Sequence, residues 1–105
     1  MVREQLDRYR GHEVETAGDS FLATFDGPAR AIECAQAVVE SAASIGITLR
    51  AGLHTGEVEV TTDGLRGIAV HVAARTMALA EPGEILVTST SKELVAGSGI
   101  ALRDR

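Results

Sequence analysis

Aromatic residues are scarce in this 105-residue chain: they make up 3% of it, with no tryptophan, one tyrosine and two phenylalanines. A core must therefore be assembled from Ala, Val, Ile and Leu, side chains that let a helix approach a sheet closely but bury little area each. Cysteine occurs once, at Cys34, so no intrachain disulfide can form and a disulfide-stapled fold is excluded. No apolar run approaches the roughly 18 residues of a membrane span. The first residues, Met1-Val2-Arg3-Glu4-Gln5, contain no apolar signal region. An excess of cations is also missing. Ten basic against fifteen acidic residues give a net charge of −5 with histidine neutral, which argues against nonspecific nucleic-acid binding and against an anionic membrane surface. The expectation is a cytoplasmic chain with no membrane segment and no nucleic-acid partner.

What is present is a globular mix, 45% hydrophobic and 24% charged, of a size that fits one domain over residues 1–105. Residues 1–10 read as a helix stopped near Gly11. His12 to Thr16 and Ser20 to Phe25 read as two strands around Ala17-Gly18-Asp19. Asp26 is placed to cap the next helix and Pro28 suits its first turn. Ile32, Ala35, Val39 and Ala42 recur at helical spacing, up to an end near Gly46. Thr48 to Val60 reads as extended, with Gly52 and Gly56 marking bends or bulges, and Thr61 to Gly64 as a turn. Gly67 to Ala80 reads as a second long helix, closed by Glu81-Pro82-Gly83. Glu84 to Thr88 reads as a strand, Thr90 to Val95 as a short helix capped by Thr90 or Ser91, and Gly99 to Arg103 as the start of a last strand. Long helices crossing between strands predict an α+β fold, a ferredoxin-like sheet with helices packed on it.

The chemistry-bearing residues are few. Between Ile68 and Ala80 only His71, Arg75 and Thr76 are polar. His71 and Arg75 are four apart and project from one helix face. A helix this apolar is expected to be mostly buried, so the two groups need a carboxylate, a phosphate or another chain beside them. The alternative is an Arg75 that snorkels to solvent or pairs with a structural acid. Asp19, in Gly18-Asp19-Ser20, puts a carboxylate at a tight turn. That suits a hard cation, although Asp is common in turns for local hydrogen-bonding reasons alone. His12, His54 and His71 lack zinc spacing. Cys34 lies mid-helix among alanines and reads as a small core residue.

Three segments carry a family resemblance. Gly18-Asp19-Ser20-Phe21-Leu22-Ala23-Thr24-Phe25-Asp26-Gly27-Pro28-Ala29-Arg30-Ala31 resembles the second-metal hairpin and following helix of class III adenylate/guanylate cyclase domains. Arg50-Ala51-Gly52-Leu53-His54-Thr55-Gly56-Glu57 is similar to a further segment of those domains. So is Gly67-Ile68-Ala69-Val70-His71-Val72-Ala73-Ala74-Arg75, followed by Glu81-Pro82-Gly83-Glu84-Ile85-Leu86-Val87. Their order and spacing agree, and together they span nearly the whole chain.

The resemblance implies conversion of ATP to 3′,5′-cyclic AMP and pyrophosphate with two divalent metals, Mg²⁺ or Mn²⁺, at sites formed in a head-to-tail homodimer. It implies that Asp19 is the second metal-binding aspartate and that Arg75 stabilises charge on the phosphates. His71 stands where the family usually has an asparagine that orients the ribose. The base-selecting lysine position, four before Asp19, holds Glu15, which reverses the charge. The base-selecting aspartate aligns at Gly64, with Asp63 one residue away. The strand with the first metal-binding aspartate belongs before residue 1, and the family's final strands lie beyond Arg105. The expectation is a partial domain that is inactive alone and belongs with other domains. The alternative is a catalytically silent pseudo-cyclase module, acting as a nucleotide-binding or dimerising regulatory domain.

Overall fold

A computed structural model of the chain describes residues 2–17, 20–56, 59–61, 64–100 and 102. It opens with helix α1 (Val2–Arg8), followed by strands β1 (His12–Ala17) and β2 (Ser20–Thr24). Helix α1 is stopped by Arg10, whose φ of +58° is left-handed, rather than by a left-handed glycine. Strands β1 and β2 pair antiparallel, with an irregularity in register between Glu13 and Glu15. Arg3 on α1 ties back to β1 through a 2.9 Å ion pair with Glu13.

Helix α2 (Pro28–Ser44) begins one residue later than an Asp26 cap would require. Gly27 is the N-cap, in extended conformation and with no side-chain cap bond, and Pro28 fills the first helical position. Asp26 thus precedes the position from which a side chain reaches the first free amides. The buried residues of α2 are Ile32, Cys34 and Ala42. With Leu6, Ala80 and Val95 these form the apolar core, and the reading of Cys34 as a core residue holds.

The long extended stretch expected from Thr48 to Val60 is divided. Strand β3 is only Ala51–Leu53, and His54 to Gly56 leave it. Strand β4 (Glu59–Thr61), whose Glu59 and Val60 fall in the stretch expected to be extended, then pairs antiparallel with β5 (Gly64–Arg66), a strand the sequence does not signal. Helix α3 (Ile68–Leu79) follows, and strand β6 (Ile85–Val87) returns parallel to β3, Ala51 opposite Ile85 and Leu53 opposite Val87. Three further amides extend this pairing, Gly83 to the Leu49 carbonyl, Ala51 to Glu84 and Thr88 to Leu53.

Helix α4 (Ser89–Leu94) is capped by Thr88, not by Thr90 or Ser91. No side chain closes this cap, because the Thr88 hydroxyl is 2.8 Å from Nδ1 of His54 and the Ser91 hydroxyl is 2.8 Å from that of Thr55. Of the strand expected from Gly99 to Arg103, residues 101 and 103 lie outside the described set. Gly99 has a φ of +88°, which an extended strand does not use, and Ile100 and Leu102 are in no strand. Among the described residues no helix is long and apolar enough to cross a membrane. The architecture is α+β, with two-stranded sheets β1-β2, β3-β6 and β4-β5 among the helices.

Candidate active site

The site builds on α3. This helix packs against β3 and β6, and the expectation that it is mostly buried is corrected: Thr76 is its one buried residue. Thr76 satisfies its hydroxyl by donating to the Val72 carbonyl at 2.6 Å, as a hydroxyl without water must. The opposite side of the helix is open. Ile68 is 81% exposed and Leu79 69%, and His71, Ala74 and Arg75 are exposed with them. The helix is apolar on two faces, and the sheet covers one.

His71 and Arg75 stand one turn apart on the open side. Among the described residues neither side chain makes a hydrogen bond or an ion pair. The structural acid that would pair Arg75 internally is thus not found among them. Arg75 presents its planar fork of five N–H donors outward, a geometry suited to phosphate oxygens.

The other expected residues are placed less fully. Glu15 is described by its backbone, opposite Leu22 in the β1-β2 ladder. Asp19, between β1 and β2, and Asp63, between β4 and β5, lie outside the described residues. Among the described residues, no three His, Cys, Asp or Glu side chains converge in a way that could hold a metal ion. The described residues by themselves therefore do not assemble a donor set for a metal.

A groove of about 450 Å³ opens between the end of β2 and β3, lined among others by Leu22, Phe25, Ile32, Cys34, Leu53 and Val70. It lies on the inner side of α3, and neither His71 nor Arg75 lines it. Its lining is chiefly apolar, with Asp26, Arg50 and His54 among its polar members. Burial in this apolar setting pushes the Cys34 thiol above its usual pKa.

Sequence reasoning overlooked the polar pins beneath the site. His54 to Thr88 and Thr55 to Ser91 fasten the segment after β3 to the start of α4. These pairs are 34 and 36 residues apart in sequence, and no local pattern signals such a contact.

The fold and this helix have known counterparts. The family model of the adenylate and guanylate cyclase catalytic domain matches residues 1–105, and the chain belongs to that family. It is 33% identical over 97 residues to "Putative adenylate cyclase 3" of Rhizobium meliloti, covering 85% of this chain and 16% of that protein. A solved adenylate/guanylate cyclase/hydrolase from Silicibacter pomeroyi superposes with a TM-score of 0.83 at 28% identity, over 96% of this chain and 64% of that one. The guanylate cyclase domain of RhGC from Catenaria anguillulae, solved in complex with GTP, shares the fold at a TM-score of 0.76 and 22% identity, over 91% of this chain and 64% of that one. The chain thus spans a small part of the curated relative and just under two-thirds of the solved domains.

Proposed function

We propose that this chain is the catalytic part of a nucleotidyl cyclase that converts ATP to 3′,5′-cyclic AMP and pyrophosphate in a cytoplasmic setting, at sites formed between two head-to-tail copies. The observation that carries the reading is the open side of α3. An arginine and a histidine whose side chains have no partner among the described residues stand there between exposed Ile68 and Leu79. Apolar area of this kind gains by burial against a second chain, and that burial would bring Arg75 into the partner's site.

In this reading the ribose 3′-hydroxyl gives up its proton to water as its oxygen attacks the α-phosphorus in line, the bond from that phosphorus to the bridging oxygen breaks, and pyrophosphate leaves. Arg75 donates to phosphate oxygens as charge develops on them, an electrostatic contribution made where water is excluded. His71 holds the ribose by a ring N–H. Cyclases of this family are generally dependent on divalent metal. Asp19 is proposed to contribute one carboxylate to Mg²⁺ or Mn²⁺, and Asp63 and Glu15 are proposed to face the base. ATP rather than GTP is supported by the name of the Rhizobium relative. Glu15, with its reversed charge, favours a second reading in which the chain binds nucleotide as a silent regulatory module.

The test is cyclic-nucleotide formation from ATP and from GTP with Mn²⁺, in the 105-residue chain and in the same chain extended at its N-terminus by the strand the resemblance calls for. The cyclase reading expects cyclic AMP from the extended chain and its loss in Arg75→Ala. Nucleotide binding by a folded dimer without turnover would move the conclusion to the regulatory module.

A further inference from the structure

The residues just described do not explain how α3 is held at a fixed height above the sheet. Two glycines do. A Cβ built on Gly52 would lie 2.6 Å from Cα of Met77 and 2.8 Å from the carbonyl carbon of Thr76. The backbone of α3 therefore rests directly on β3 at that point. A Cβ built on Gly56 would lie 2.9 Å from Cβ of Ala69, at the other end of the helix. Real Cβ contacts do not come this close, so both positions are filled by the helix itself.

The two contacts are well separated along the helix. Met77 and Ala69 are eight residues apart, about 12 Å along a helix at 1.5 Å per residue. Gly52 lies within β3, and Gly56 four residues on, where the chain has left the strand. The helix is thus touched near both ends, and His71 and Arg75 lie between the two points. One contact alone would leave the helix free to rock about it; two set both its height and its tilt. The segment bearing the glycines is itself fixed, since His54 and Thr55 between them bond to Thr88 and Ser91.

We infer that Gly52 and Gly56 are positioning residues, a two-point cradle that sets where α3 presents His71 and Arg75. The inference rests on the cyclase reading for its catalytic consequence, but the cradle itself can be tested without it. Gly52→Ala places a methyl against backbone and is expected to impair folding. The discriminating variant is Gly56→Ala, whose one close approach is to the methyl of Ala69, the His54 ring lying at an ordinary contact distance of 3.6 Å, combined with Ala69→Gly, which removes that methyl.

Amide exchange over residues 68–79 and steady-state kinetics are measured for both single variants and the double variant, in the form of the chain that turns over nucleotide. Gly56→Ala alone is expected to raise exchange at the start of α3 severalfold. It should lower kcat about 10- to 100-fold with KM nearly unchanged, the cost of misplacing a charge-stabilising group by about an ångström. In the Ala69→Gly background the same change at Gly56 should have little effect on either readout, the mark of direct coupling between the two sites. The inference is overturned if Gly56→Ala leaves α3 exchange unchanged, or if its effect is as large with Ala69→Gly as without. A parent chain that folds but forms no cyclic nucleotide in any metal would fail the cyclase reading, while the exchange measurements would still decide the cradle.

Discussion

Arg75 carries most of the proposed chemistry, and its exposure makes it separable from stability. Arg75→Ala is expected to lower kcat by about 10²–10³, as removal of a charge-stabilising donor does. The melting temperature should scarcely move, because an exposed residue with no partner among the described residues contributes within about 0.5 kcal/mol. Arg75→Lys keeps the charge but loses the planar fork, and should recover little. Kinetics and a thermal melt on the same preparations check both statements. Cys34 gives a pH-dependent prediction. Its thiol titrates above the usual range in the folded chain because burial disfavours the thiolate. The protonated thiol suits the core, so this contribution to stability is complete below the unfolded thiol pKa and is lost as pH rises through the higher folded value. Following thiolate absorbance should give a midpoint at higher pH in the folded chain than in urea. Cys34 and Pro28 were legible from their neighbours in sequence, since an Ala-rich helix interior and a first helical turn are local environments. The proposed roles of Asp19, Glu15 and Asp63 came through resemblance to a family, because a single turn aspartate has no spacing that distinguishes a ligand from a local hydrogen-bond acceptor.

At the scale of elements, the polar pins between the segment after β3 and α4 should be cooperative. Ser91 is 2% exposed, and Ser91→Ala leaves the half-buried Thr55 hydroxyl without its partner, a cost of about 1–3 kcal/mol. The urea midpoint should fall accordingly with the slope unchanged. Adding Thr55→Val should cost less than it does in the parent, since the orphaned group is then removed. The helices α2 and α3 were legible to within about two residues because they are long and amphipathic or bounded by Gly and Pro. Strand β5 and the early end of β3 were not. Three-residue strands have no periodicity to read, and their pairing is decided by distant partners. The open side of α3 was misjudged for a related reason. Composition shows that a helix is apolar all round, but not whether its second face meets its own chain or another.

At the scale of the whole molecule, the exposed apolar side of α3 should be where copies meet. Ile68→Glu and Leu79→Glu each place a charge in that face, and each is expected to shift sedimentation from dimer to monomer and to abolish turnover while leaving the monomer folded. A charge buried without a partner is costly, whereas on a free surface it is nearly neutral. The central claim is that Arg75 serves a site completed by another copy, and mixing two silent variants tests it most directly. Asp19→Ala and Arg75→Ala are prepared separately in the extended chain, each confirmed as folded and dimeric, then mixed and assayed for cyclic AMP. The account predicts no product from either variant alone and a partial return of activity on mixing, because one of the two sites in a mixed dimer then holds both Asp19 and Arg75. A mixture that exchanges subunits yet stays as silent as its components would contradict it.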